Sequence, residues 1–220
     1  MTGPWDDAIG LSGNLRSRTG VWVMRVSVII NAKAGNLNLS LVREKVDQAL
    51  FRCQKAYCVP NSIRDISTFV KKEILLGTNY ILICGGDGTV NYCLSGFIET
   101  GLDYGKIPPI CIVCTGTAND LANDLGISKK IDEAARTIFF FFFKVVDVIS
   151  VKSKQKTSYM LTNGGVGIPT LTAQKSNLYR QKIKEFFLQK DFPDGISGKV
   201  LKIIGSDIYN LTLLESFFRW

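Results

Sequence analysis

Short apolar runs alternate with amphipathic helical patterns from Val26 to residue 125, and that alternation restricts the chain to few folds. Val26–Ile30, Tyr80–Cys84 and Ile110–Cys114 are runs of almost uninterrupted apolar character, and a shorter segment spans Ala56–Val59. Such runs, lacking in–out alternation, suit strands covered on both faces, which is what helices on either side of a parallel sheet produce. Between them Val42, Val46, Ala49, Leu50 and Cys53 share one helical face. Ile63, Ile66, Val70 and Ile74 share another, as do Val90, Leu94, Phe97 and Ile98. A further helix runs to Leu125 and is closed by Gly126, as Gly77 and Asn79 close the second. The pattern predicts an α/β fold with a parallel sheet.

The texture changes after residue 130. A helix over Glu133–Phe140 leads to Val145–Val151, and Ser158–Asn163 follows across the polar Lys152–Thr157, which predicts a β-hairpin. Lys-rich residues 175–190 carry a helical pattern, and Lys199–Ile204 reads as a short strand. The first 22 residues show no periodicity, and Met24 opens directly onto the first strand. The expected organisation is a disordered extension over 1–23, an α/β nucleotide-binding lobe over 24–130 and an incomplete β-rich second lobe over 131–220. The longest apolar stretch, Ile138–Val151, is broken by Lys144 and Asp147. It falls short of the ~20 residues a spanning helix needs, so a soluble or peripheral protein is expected.

Composition then removes whole branches of chemistry. The 220 residues contain no His, which excludes Ser-His-Asp and Cys-His catalysis, His-ligated zinc and an imidazole base. Any acid–base work falls to carboxylates, Lys, Tyr or Cys. The formal net charge of +8 is unevenly placed: residues 1–128 hold 12 basic and 11 acidic residues, whereas 129–220 hold 15 and 8. That second part is either a solvated lysine-rich face or a surface for an anionic partner. Six cysteines, at 53, 58, 84, 93, 111 and 114, include two inside apolar strands. Buried free thiols in a reducing cytoplasm fit best. Cys111 and Cys114 have C-x-x-C spacing, but no second ligand pair accompanies them.

In an open α/β sheet, ligands bind where strands end and helices begin. Three polar segments fall at such places: Asn31–Asn36, Gly85–Asn91 and Thr115–Asp120. In Gly85-Gly86-Asp87-Gly88-Thr89 three glycines let backbone approach a ligand closely, and the helix that follows offers free N–H groups to a phosphate. Thr89 adds a hydroxyl. Asp87 would repel phosphate unless it holds Mg²⁺ or takes a proton from an attacking hydroxyl; otherwise it is a helix cap. In Thr115-Gly116-Thr117-Ala118-Asn119-Asp120 the hydroxyls can face a ligand, while Thr117 caps the helix with Asp120 at its third position. In Asn31-Ala32-Lys33-Ala34-Gly35, Lys33 can meet a phosphate as a point charge. No G-x-x-x-x-G-K-[ST], no G-x-G-x-x-G after the first strand and no protein-kinase signature occurs.

Gly85–Thr89 followed by Val90-Asn91 resembles the signature loop of the diacylglycerol kinase catalytic domain family, the lipid kinases that include sphingosine, ceramide and bacterial lipid kinases. Asn31–Gly35 resembles the family's N-P-x-[SA]-G, and Gly116–Ala122 its G-T-[AG]-N-D-x-A, in the same order. The resemblance spans about residues 25–170 and implies an ATP-dependent lipid kinase using Mg²⁺. It implies an α/β lobe followed by a β-sandwich lobe, with nucleotide and lipid meeting between them. It places Asn31, Lys33, Gly35, Gly85, Gly86, Asp87, Gly88, Thr89, Val90, Asn91, Thr115, Gly116, Thr117, Asn119 and Asp120 at the nucleotide, with Asp87 the essential carboxylate. Asn163–Gly167 resembles the family's second-lobe N-x-x-G-[IL]-G.

The departures are specific. Ala32 and Cys114 stand where the family commonly has Pro, Thr115 takes a Leu place, and Pro60 falls near a nucleotide-contacting Thr. About 75 residues follow Val145, and Asp194-Gly195 is followed by Ile196 rather than Glu. The chain therefore reads as a C-terminally shortened member. The implied acceptor is a diacylglycerol or a sphingoid-like lipid, met peripherally at a membrane from the cytoplasm, with no nucleic acid partner; a homodimer is compatible with this. Alternatives are a nucleotide-binding remnant without activity and, ranked lower, an NAD kinase.

Overall fold

The computed structural model describes residues 23–34, 38–116, 118–141, 143–154 and 157–161, with 175, 176, 178, 179, 182 and 185 beyond them. The chain divides into two compact units, 1–162 and 163–220, and the elements named below belong to the first. Strands β1 (Arg25–Ile30), β2 (Gln54–Cys58), β3 (Tyr80–Gly85) and β4 (Ile110–Cys114) form a parallel sheet in the order β2-β1-β3-β4. Helices α1 (Leu39–Ala49), α2 (Ile63–Leu75), α3 (Asp87–Ile98) and α4 (Asp120–Asp124) follow the successive strands, and α5 (Ile131–Arg136) comes next.

Alternate strand residues face opposite layers. Val26, Val28, Ile30, Leu82, Cys84, Cys111 and Val113 pack with Val42 and Val46 of α1 and Ala134 and Ala135 of α5. Ile29, Ile81, Ile83 and Ile112 pack with Ile66, Val70 and Ile74 of α2 and Val90, Leu94 and Phe97 of α3. Both faces being covered explains why the strands read as continuous apolar runs. Each fully buried Val, Leu or Ile here contributes about 1.5–3 kcal/mol.

Helix starts follow local chemistry. Asn38 Oδ1 accepts the Leu41 amide and caps α1. Ser62 and Asp65 form a reciprocal capping box on α2. By contrast α3 begins at Gly86 with no side-chain cap.

The chain runs from β1 to the neighbour on one side, then crosses to β3 on the other. The strand order therefore reverses between β1 and β3, and that is where a ligand crevice opens in such sheets. At the opposite end of the strands sits a buried polar cluster. Ser27 Oγ donates to Glu73 Oε2 at 2.9 Å, and Arg25 reaches the same oxygen at 2.7 Å.

β5 (Ile149–Lys152) and β6 (Thr157–Met160) form the expected hairpin, antiparallel, with Ile149 opposite Met160. Their bounds differ from expectation. Residues 145–148 stay outside the strand, because β6 offers only four residues to pair with. The helix expected over Glu133–Phe140 ends at Arg136 and tightens into a 3₁₀ turn over Thr137–Phe139. Thr, Ile and Phe in succession are weak helix formers, and Phe141 turns left-handed at φ 54°. The change of texture read at residue 130 does not coincide with the division between units, since α5 packs on β4 and α1. Within 175–190 the six described positions are helical. The segments 1–22, 163–167 and 199–204 lie outside the described residues.

Candidate active site

The three polar segments converge at the carboxyl ends of β1, β3 and β4. Asn31 continues the ladder, its amide donating to Cys84 O at 2.9 Å. Its side-chain Nδ2 donates to Thr89 Oγ1 at 2.9 Å, which ties the first segment to the second across the switch point. Thr89 is only 3% exposed, and Val90 is 1% exposed within the core, so these two side chains build the loop from behind. Lys33 Nζ donates to Asn61 O at 2.6 Å, so its ammonium braces the loop after β2.

The second and third segments touch backbone to backbone. A Cβ on Gly116 would lie 2.5 Å from Gly86 Cα, closer than real Cβ atoms come. A Cβ on Gly85 would strike Thr89 Oγ1 at 2.5 Å. Both glycines are thus required by packing. Asn119 adopts the left-handed conformation, φ 55° and ψ 44°, which Asn tolerates better than most residues. Its side chain accepts from Gly116 N at 3.1 Å and donates to Gly116 O at 3.0 Å, closing the turn on itself.

Asp87 joins the two loops. Its carboxylate accepts from the Asp120 amide at 3.1 Å and the Leu121 amide at 3.2 Å. It therefore caps α4, the helix of the neighbouring strand, and not its own helix, as the capping alternative would have it. Asn119 is the residue at the cap position of α4, with no side-chain cap bond, because Asp87 already occupies those amides. Thr117, read as the cap, and Gly35 lie outside the described residues. Asn91 Oδ1 accepts from the Leu161 amide at 3.0 Å.

One charge acting on the end of β4, Lys129, escaped the sequence reading. Burial raises the Cys114 thiol above its ordinary value, the Asp87 charge raises it further, and Lys129 opposes them. Cys114, opposite Gly85 in the sheet, thus feels both charges. Lys129 is exposed and lies outside all three motifs; only the fold brings it near. Cys84 in β3 and Cys111 in β4 are buried, whereas Cys58 at the end of β2 is half-buried; Cys111 is pushed up to about 11 by burial, a shift partly offset by Thr137.

A nucleotide phosphate fits this arrangement on two observations. A Cβ at Gly88 would meet nothing within 4 Å, so packing does not require that glycine and the backbone there is open to approach. Thr115 Oγ1 is buried with no hydrogen-bond partner among the described residues, a polar atom left over at the end of β4. For a magnesium ion, which keeps phosphates and waters among its ligands, one or two carboxylates suffice. Asp87, fixed at the junction of the two loops, could supply one.

A family model described as the diacylglycerol kinase catalytic domain matches residues 25–151. A "Probable lipid kinase YegS-like" of Citrobacter koseri is 31% identical over 112 residues, which are 50% of this chain and 37% of that protein. A "Probable lipid kinase YegS" of Shigella flexneri is 33% identical over 113 residues, with the same shares. The match thus spans 37% of the length of these curated relatives. Among solved structures, a diacylglycerol kinase from Bacillus anthracis str. Sterne is 28% identical with a TM-score of 0.47, over 56% of this chain and 44% of that one.

Proposed function

The chain belongs to the diacylglycerol kinase catalytic domain family, and from that premise we propose that it transfers the γ-phosphoryl group of ATP to the hydroxyl of a lipid. The observation that carries the reading is the junction of Gly86, Asp87, Gly116 and the α4 amides, which fuses two of the family's motif loops into one surface. The uncapped start of α3, with open space at Gly88, presents backbone N–H groups to phosphate oxygens. Asn31 and Thr89 hold the back of that loop rigid, so the N–H groups are fixed before the ligand arrives. Asp87 Oδ1 and Oδ2 each keep a lone pair beyond the amide they accept, enough to hold a cation as well. Bound Mg²⁺ would neutralise charge on the phosphate oxygens.

The acceptor is a lipid such as a diacylglycerol or a sphingoid base, reached at a membrane surface. No helix among the described residues is long and apolar enough to cross a membrane, and the basic residues after 128 support peripheral attachment to anionic lipid. The test is labelled phosphate incorporation from ATP into mixed vesicles containing either lipid, with and without Mg²⁺. Incorporation that needs the metal and falls at least about 100-fold in Asp87→Ala supports the reading. Absence of product on both lipids, or undiminished turnover by the variant, overturns it.

A further inference from the structure

Ile138 is buried in the core, and beyond it the apolar side chains turn outward. Phe140 is 63% exposed and Phe141 60%, and Phe143, Val145, Val148 and Ile149 are exposed as well. Single exposed apolar residues are ordinary on a protein surface, but a contiguous run of them marks an interaction surface. The local structure holds this one in place. The Phe140 amide donates to Thr137 O at 3.0 Å, and Phe141 bends left-handed at φ 54°. The Phe143 ring stacks on Tyr80, the first residue of β3, with centroids 6.2 Å apart. A bulky residue in the left-handed region is strained and persists only where its surroundings fix it. The turn is thus pinned on one side by Ile138 and on the other by Phe143, which keeps Phe140 and Phe141 outward. We propose that this phenylalanine turn inserts into the surface of an anionic lipid bilayer. The inference rests on the peripheral attachment proposed above and names the surface that makes it.

Charge around the turn selects the occupant. Arg136 precedes it and Lys144, Lys152 and Lys154 follow it, all exposed. Asp147 is the one acidic residue in the sequence from 134 to 162. Rings entering the acyl boundary while cations stay among anionic headgroups is the pattern of an interfacial anchor. A second copy of this surface would bring like charges together across a two-fold axis. Residues 163–220 carry eight basic residues against five acidic, so they are no better a complement. A single-stranded nucleic acid could stack on the rings but has no use for Val145, Val148 and Ile149. The stack on Tyr80 puts the turn at the amino end of β3, whereas Gly86 and Asp87 follow its carboxyl end. Attachment and nucleotide binding are therefore separable.

The test is cosedimentation of the full chain with vesicles, without ATP. The parent should bind vesicles of phosphatidylglycerol and phosphatidylcholine in equal parts at least about tenfold more tightly than phosphatidylcholine alone. Phe140→Ser/Phe141→Asn removes both rings and gives the left-handed position a residue that tolerates it. Its affinity for the mixed vesicles should fall at least about tenfold. Its MgATP affinity should stay within about twofold and its melting midpoint within about 2 °C of the parent. Lys144→Gln/Lys152→Gln should also lose about tenfold, a difference that added salt removes. Undiminished vesicle binding by the phenylalanine variant overturns the proposal, as does a parent that binds neither vesicle. A variant that keeps vesicle binding but loses self-association, or binding of an oligonucleotide, assigns the turn to that partner instead and overturns it. A melt lowered by many degrees means that the rest of the chain covers the turn, and overturns it too. A parent that binds the mixed vesicles yet phosphorylates no lipid loses the lipid-kinase reading and keeps this one.

Discussion

Asp87 closes the start of the helix that begins at Asp120: the carboxylate at the head of α3 accepts the Asp120 amide at 3.1 Å and the next amide at 3.2 Å. Two residues 33 positions apart are thereby made one unit, and the loop after β3 becomes the cap of the helix after β4. A helix of five residues has few internal bonds of its own, so this external carboxylate, with the burial of Leu121 and Ala122, helps define it. An acidic group beside a phosphate site is then less paradoxical. It faces the positive end of α4 and two N–H donors, which favour a negative charge there.

Removing the carboxylate should consequently loosen the protein as well as silence it. Asp87→Ala leaves two amides without partners and should cost about 1 kcal/mol, up to ~2, of unfolding free energy. Asp87→Asn keeps one acceptor oxygen and should cost less. Urea unfolding at neutral pH ranks the three proteins. Equal midpoints for parent and Asp87→Ala would mean that the cap carries no stability.

The glycines of the two loops separate into packing and binding classes. Gly116→Ala forces a Cβ to within 2.5 Å of Gly86 Cα, and overpacking of this kind costs about 1–3 kcal/mol. Gly88→Ala meets nothing within 4 Å and sits in the first turn of α3. It should leave the fold as stable or raise its stability by up to ~1 kcal/mol, because alanine loses less backbone entropy in a helix. Its methyl group would nonetheless occupy the ligand's approach, so nucleotide affinity should drop about tenfold or more. Thermal melts beside calorimetric titration with MgATP check both halves, and a Gly88→Ala protein that binds normally would remove Gly88 from the binding surface.

The sheet and its helices were legible because burial on both faces writes long-lived patterns: Tyr80–Cys84 and Ile110–Cys114 are β3 and β4 to within a residue. The motif loops were legible too, since their residue types are scarce elsewhere. What was hidden is the partner of each side chain. Val90 belongs to the core, Asn31 to Thr89, Lys33 to Asn61 and Asn119 to Gly116, and none of those pairings follows from spacing along the chain. Asp87 capping a helix not its own is of the same kind. Lys129 acts on the end of β4 only through folding. The 3₁₀ turn at Thr137–Phe139 was missed because the periodicity of Ile138 and Phe139 is shared by both helix types over so short a run.

At the far end of the sheet, Glu73 is 3% exposed and accepts from Ser27 Oγ and Arg25. Glu73→Ala leaves the guanidinium and a buried hydroxyl facing a cavity, and should cost about 3–5 kcal/mol. Because the cluster lies at the amino ends of β1 and β3, nucleotide affinity of the remaining folded protein should not change. Guanidinium unfolding and titration with MgATP separate the two. A loss of affinity without loss of stability would contradict a purely structural cluster.

The capping box on α2 gives a pH dependence whose sign is fixed. The Asp65 carboxyl is held below its ordinary value of 3.8, first by the Ser62 amide, then by the Ser62 hydroxyl and the Asn61 amide. A carboxyl depressed in the folded state adds stability that is complete above its unfolded value and disappears as the pH falls through the lower, folded one. Asp65→Asn removes that titration and weakens the box. The stability gap between parent and Asp65→Asn should therefore be constant from neutral pH down to the ordinary carboxylate range, and close progressively below it. Glu133, whose carboxyl is also lowered by Lys130 and Ser128, titrates in the same direction in both proteins and cancels from the difference. Added salt should change the gap little. The amides and hydroxyl dominate over the distant Lys33 charge, and hydrogen bonds are not screened as long-range charge is. Urea midpoints of both proteins across an acid series, at low and high salt, measure this. A gap that widens on acidification would show that the box does not hold the carboxylate in its charged form.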